Sequence, residues 1–149
     1  MLRYLQVTEN KPVKITTASV AVKRGAPITV DFTDGTVAPA TAGTGLYLAD
    51  VAKNYDGINA IIEPTDGDFE DIKVGGKVLR VVPFVGDRFA TTEVTAAGLV
   101  AGDPLVATAG KFVKAGSAKD YEFVYGGTYA DPSVENSYIV ERVERNTTA

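Results

Sequence analysis

The chain has 149 residues, 45% apolar and 23% charged, with a net charge of −4 at pH 7. This suits one domain with a buried core and is too apolar for intrinsic disorder. The acidic balance, without any basic run, excludes a surface built to neutralise nucleic-acid phosphates. The absence of His, Cys and Trp removes the commonest general base, every Ser-His or Cys-His nucleophile pair, thiolate metal sites and disulfides.

The amino-terminal stretch MLRYLQVTENKPVK contains no apolar run of signal-peptide length, and nowhere do about 18 apolar residues follow one another as a membrane span requires. A soluble protein without a membrane partner is expected. Leu2 to Val7 and Val13 to Val22 carry apolar, β-branched and aromatic residues in rough alternation, broken by Asn10-Lys11-Pro12. Residues 1–20 therefore read as an extended arm that could lie across a neighbouring subunit, or as an edge strand of the chain's own sheet. Residues 21–149 form the β core of a single domain.

Lys23 to Val37, KRGAPITVDFTDGTV, and Val100 to Val113, VAGDPLVATAGKFV, are imperfect copies. Each places Gly-x-Pro before an apolar run, then a Gly, then a second short apolar run. Gly25 and Gly102 lie 77 residues apart and Gly35 and Gly110 lie 75 apart, so the later copy has lost two residues from its loop. Each reads as a hairpin. In the first, Thr33-Asp34-Gly35 is the expected turn, with glycine supplying positive φ and the aspartate hydrogen-bonding its own backbone.

Between the copies, the small-residue loop Ala40 to Gly45 leads into Leu46 to Ala52, which suits a strand or a short helix, and Ile58 to Glu63 is the next strand. Val78 to Val85 is the most apolar run and is expected to be a strand covered on both faces, crossing the centre of the core. Arg88 to Val94, Tyr121 to Tyr129 and Ser137 to Glu144 complete the strands. No stretch beyond about ten residues keeps a helical period, and 15 glycines and 7 prolines recur at turn spacing. The expected fold is all-β: a small antiparallel β-barrel or sandwich, tulip-like, with short or no helices and an extended N-terminal segment.

The chemistry is sparse. Asp66, Asp68, Glu70 and Asp71 offer hard oxygen ligands for calcium, but the glycine falls between the first two acids, unlike an EF-hand loop, and a solvated acidic turn is favoured. Asp66 and Asp68 are too close in sequence to face each other across a glycosidase cleft. Gly43-Thr44-Gly45-Leu46-Tyr47-Leu48 lacks the third glycine of a dinucleotide fingerprint, and Gly76-Lys77-Val78 lacks the hydroxyl of a phosphate loop, so both read as turns. Tyr121, Phe123, Tyr125 and Tyr129 share a face if the strand keeps its period of two; a core or subunit-interface stripe is favoured over a platform for bases or sugars. Asn146-Thr147-Thr148 matches a glycosylation acceptor and reads as a polar tail. No catalytic residue, metal ligand or cofactor is expected, and the chain does not read as an enzyme.

Gly102 to Ala115, with the pattern Gly-Asp-Pro-Leu-Val…Gly-Lys-Phe-Val-Lys-Ala, and the finish Tyr138-Ile139-Val140-Glu141-Arg142-Val143 resemble the capsid decoration, or cement, proteins of tailed bacteriophages. The resemblance implies a virion protein, present in the host cytoplasm during assembly and then on the outside of the head. There it would bridge major capsid protein subunits, self-associate as a homotrimer and resist the stress of DNA packaging. It brings no catalytic or metal residues. The alternative function is a glycan- or receptor-binding β module of a phage fibre or surface adhesin, using the Tyr121 to Tyr129 stripe.

Overall fold

A computed structural model describes residues 1–8, 14–51, 71–116, 120–132, 134 and 136–146. Among them lie thirteen strands and no helix: β1 (Leu2–Gln6), β2 (Lys14–Ala18), β3 (Val22–Lys23), β4 (Pro27–Asp31), β5 (Thr36–Pro39), β6 (Tyr47–Val51), β7 (Asp71–Ile72), β8 (Lys77–Val81), β9 (Arg88–Thr91), β10 (Pro104–Thr108), β11 (Lys111–Lys114), β12 (Tyr121–Tyr129) and β13 (Ser137–Asn146). The all-β expectation holds. The expected strand at Ile58 to Glu63 lies outside the described residues.

Strands β2-β5-β4-β6-β8 close into a five-stranded barrel, β1-β9-β13-β12-β10-β11 form a six-stranded sheet, and β3 pairs with β7. The barrel is antiparallel except at its seam, where β2 meets β5 in parallel through Thr17 opposite Thr36 and Ala18 opposite Val37. Closure leaves the barrel without the unpaired edges that invite association.

The two sequence copies are two copies of one structure. Ile28 pairs opposite Pro39 in the first hairpin, and Leu105 pairs opposite Lys114 in the second. Gly25 and Gly102 share a left-handed φ of 90° and 97°. Gly25 N–H donates to the Ala49 carbonyl at 2.7 Å and Ala49 N–H to Ala26; Gly102 N–H donates to Tyr125 at 2.7 Å and Tyr125 N–H to Asp103. The difference is at the tip. Residues 32–35 join β4 to β5, whereas Ala109 and Gly110, at φ 49° and 80°, join β10 to β11 in the primed-turn conformation that suits strand twist.

The equivalence reaches beyond the hairpins. The order β2-β8-β6-β4-β5 matches β9-β13-β12-β10-β11. Just as Ser19 N–H donates to Val37, Thr95 N–H donates to Phe112 at 2.8 Å, and a parallel bridge joins Val94 to Phe112. The second half repeats the seam of the first, with β1 laid along β9.

Three expectations are corrected and one open reading is narrowed. The carboxylate that caps the first hairpin turn is that of Asp31, which accepts from the N–H groups of Thr33 and Asp34 at 2.9 and 3.3 Å, and not that of Asp34. The apolar run from Val78 stops being a strand at Val81, one residue short of the stretch before Pro83, which cannot donate to a ladder; Val85 is exposed. In place of one core there are two clusters, and β8 divides between them: Val78 packs with Ile28 and Val37, Val81 with Phe89, Phe112 and Phe123. Within residues 1–20, β1 is an edge strand, as one of the two readings had it, its Leu2, Arg3 and Tyr4 pairing with Thr91, Ala90 and Phe89, while β2 belongs to the barrel.

Gly25 ties these parts together. A Cβ there would stand 2.2 Å from the Met1 carbonyl oxygen and 2.5 Å from Thr91 Oγ1, whereas a Cβ on the equivalent Gly102 meets nothing within 4 Å. Gly25→Ala and Gly102→Ala therefore share the left-handed backbone cost of about 1–2 kcal/mol. Only Gly25→Ala adds overlap, worth about 1–3 kcal/mol more. Urea unfolding of both variants measures that difference, and equal losses would refute the docking of β1 against this glycine.

Candidate functional site

Buried charge in this protein mostly holds the chain together. Glu122 is 2% exposed and sits at the irregularity between Tyr121 and Phe123, where the register of β12 against β13 shifts by two residues. Such bulges re-aim side chains. Its Oε1 accepts from Leu46 N–H at 2.8 Å, and its Oε2 faces Arg142 at 3.4 Å and Arg145 at 3.5 Å. Asp50 takes Arg24 Nε at 2.7 Å on one oxygen and the Tyr4 hydroxyl on the other, fixing β1 to β6. Asp87 accepts from Phe84 N–H at 2.9 Å and from the Thr8 amide and hydroxyl. These are clamps between segments distant in sequence.

Glu93 differs. It is 6% exposed, and among the described residues its bonds run through the backbone, its N–H to Thr91 Oγ1 and its carbonyl to Phe112 N–H. Glu93 lines a cleft of about 230 Å³ where the two halves meet, walled by Val22, Ala26, Pro39 and Ala109, with Lys23 and Lys111 also in the lining.

The surface carries a second candidate. Phe32 is 78% exposed, the most exposed large apolar side chain described, and belongs to the four-residue tip that the second hairpin lacks. The backbone of the tip is held by the Asp31 carboxylate and by the bond from Gly35 N–H to the Asp31 carbonyl at 2.7 Å. The site is an exposed aromatic on a hydrogen-bonded turn. At the corresponding entry of the second hairpin, the Val100 N–H hydrogen bond, aided by Lys114, holds the Asp103 carboxyl below its ordinary range.

The residues singled out from sequence fare unevenly. Asp66, Asp68 and Glu70 lie outside the described residues. Asp71 pairs with Lys23 at 2.7 Å in the β3–β7 ribbon. Among the described residues no group of three or more acids forms a metal-holding cluster. Phe123 and Tyr125 are core residues, 0% and 6% exposed, and irregularities on either side of them break the period of two, so the four rings form no surface stripe. Burial, with a smaller contribution from Tyr138, pushes the Tyr125 phenol up. The Gly43 loop packs on Asp120, whose carbonyl oxygen would lie 1.9 Å from an added Cβ, and Gly76 sits in a turn closed by its N–H to Lys73 at 2.8 Å. Sequence reasoning passed over Phe32, Glu93 and Glu122. Phe32 alone left a signal, an aromatic inside the two-residue excess of the first copy. Compared with protein-family models, with curated proteins and with solved structures, the chain matches none.

Proposed function

We propose that this chain is a structural virion protein that decorates the outside of a tailed-phage head and braces its major capsid protein subunits, acting as a self-associated trimer. The resemblance of Gly102 to Ala115 and of the β13 residues to capsid decoration proteins supplies the shell as partner. The observation that supports a bracing role is the Phe32 knob, an exposed aromatic on a capped turn of a closed barrel. Aromatic anchors on preorganised supports dominate interface energies. The buried carboxylates Asp50, Asp87 and Glu122 stiffen the support. A rigid body that touches several shell subunits stabilises only the arrangement presenting all its contacts, and multivalency raises the apparent affinity of modest single contacts. Nothing favours the glycan-binding alternative, which needs the Tyr121 to Tyr129 rings on the surface.

The test uses heads assembled from the major capsid protein and heated with and without the purified chain. Bound chain is expected to raise the rupture temperature. Phe32→Ala should weaken attachment by about 2 kcal/mol per contact, roughly thirty-fold, while changing the chain's own stability by no more than about 0.5 kcal/mol. Equal rupture temperatures with and without the chain would end the reading.

A further inference from the structure

Two cations stand side by side at one mouth of the first barrel. Lys14, the first residue of β2, pairs directly opposite Arg80 near the end of β8, and Arg80 pairs opposite Ala49. Cross-strand partners share a face, and Ala49 belongs to the smaller buried cluster together with Val78, two residues before Arg80. That face is therefore the inner one, and Tyr47 lies on it too, its ring centroid 4.8 Å from the Arg80 guanidinium carbon. The acids of the five barrel strands, Asp31 and Asp50, lie on the outer face, where Asp31 pairs opposite Thr36 and Asp50 opposite Leu79. Like charges directly opposite one another destabilise a sheet. Neither is offset here: among the described residues Lys14 and Arg80 make no ion pair, and the buried Arg80 Nε has no hydrogen-bond partner. The guanidinium has lost water at Nε and from the face covered by Tyr47 without gaining an acceptor, so a counter-ion is worth more there than at a freely hydrated arginine. Arg80 is only half-buried and Lys14 is exposed, which leaves the two terminal nitrogens and the neighbouring ammonium within reach of a ligand.

We propose that Arg80, backed by Tyr47, and Lys14 form a binding site for a phosphate dianion. The terminal nitrogens of a guanidinium meet two phosphate oxygens with parallel hydrogen bonds, and the lysine adds a second positive charge. The Tyr47 ring holds the guanidinium plane by a cation–π contact, so less freedom is lost when the anion binds. A carboxylate carries a single negative charge and leaves one cation of the pair unmatched. The inference stands apart from the capsid reading, because none of these residues belongs to the Phe32 tip.

The experiment titrates the intact isotope-labelled chain with inorganic phosphate at about pH 7.5, where the dianion dominates, with ionic strength held constant by sodium chloride. It follows the backbone amide resonances and the Arg80 Nε–H resonance. Saturable shifts are expected at Lys14, Tyr47, Ala49 and Arg80. Arg80→Gln should weaken binding by about ten-fold or more, as the loss of a charge-assisted pair of hydrogen bonds does. Lys14→Gln, at an exposed position where the fold is not at stake, should weaken it by about three-fold. Acetate should bind more weakly than phosphate. Methyl phosphate identifies the source: binding at least as tight as that of inorganic phosphate assigns the site to a phosphate ester, and weaker binding assigns it to free phosphate. No saturable shift, acetate binding as tightly as phosphate, or undiminished binding by Lys14→Gln overturns the proposal.

Discussion

Phe112→Ala should cost about 3–5 kcal/mol of unfolding free energy, a large part of the roughly 5–15 kcal/mol available to a domain. Phe112 is 0% exposed, its ring centroid lies 5.0 Å from that of Phe123 at an interplanar angle of 55°, and its backbone forms the seam with Glu93 and Thr95. Truncation would leave a cavity in the larger cluster, where residues from both halves converge. The duplication provides the control. Val37 occupies the same place in the first seam, 1% exposed in the smaller cluster. Val37→Ala removes two methyl groups and should cost nearer 2 kcal/mol. Urea unfolding of the two variants gives both numbers. Equal losses would mean that the two seams are not packed as described.

Glu122→Ala should be nearly as damaging, at about 3–5 kcal/mol, because removing one partner of a buried pair strands the other. Leu46 N–H would lose its acceptor and Arg142, whose side chain is only 16% exposed, would lose its counter-ion. Arg145, 53% exposed, adds little, since solvent-screened pairs contribute at most about 1 kcal/mol. Glu122→Gln keeps an acceptor for Leu46 and should lose less. Because the pair is buried, 1 M salt should barely change the difference between wild type and Glu122→Ala. A loss below about 1 kcal/mol would show that the carboxylate is not the clamp between the Leu46 loop and β12–β13.

What the sequence made legible was local. The Gly-x-Pro entries, the turn glycines Gly35 and Gly110 and the alternation of the hairpin strands rest on backbone chemistry within a few residues. They placed both hairpins, and the two-residue loop excess of the first hairpin is what the structure has. The non-local features were hidden. The Ala18–Val37 seam and the Leu2–Thr91 pairing join strands whose local patterns do not name their partners. The apolar run from Val78 looks the same whether it serves one core or two. The favoured core reading of the Tyr121 to Tyr129 rings holds for Phe123 and Tyr125, whereas the irregularities on either side of them, and the burial of Glu122 at one of these, had no signal in the local pattern. Glu93 was invisible because an isolated acid in a Thr-rich strand looks like a surface residue.

The pairing of β1 with β9 also imposes an order of events on a ribosome. Of the described strands β1 is synthesised first, but its partner, Arg88–Thr91, follows only after all the described strands of the first barrel. At about 5–20 residues per second, Leu2 and Leu5 wait on the order of 5–20 s without that partner. The barrel has every strand it needs to close during this delay, so β1 is a latch that can shut only after the barrel has formed, and until then its apolar side chains are open to neighbouring chains.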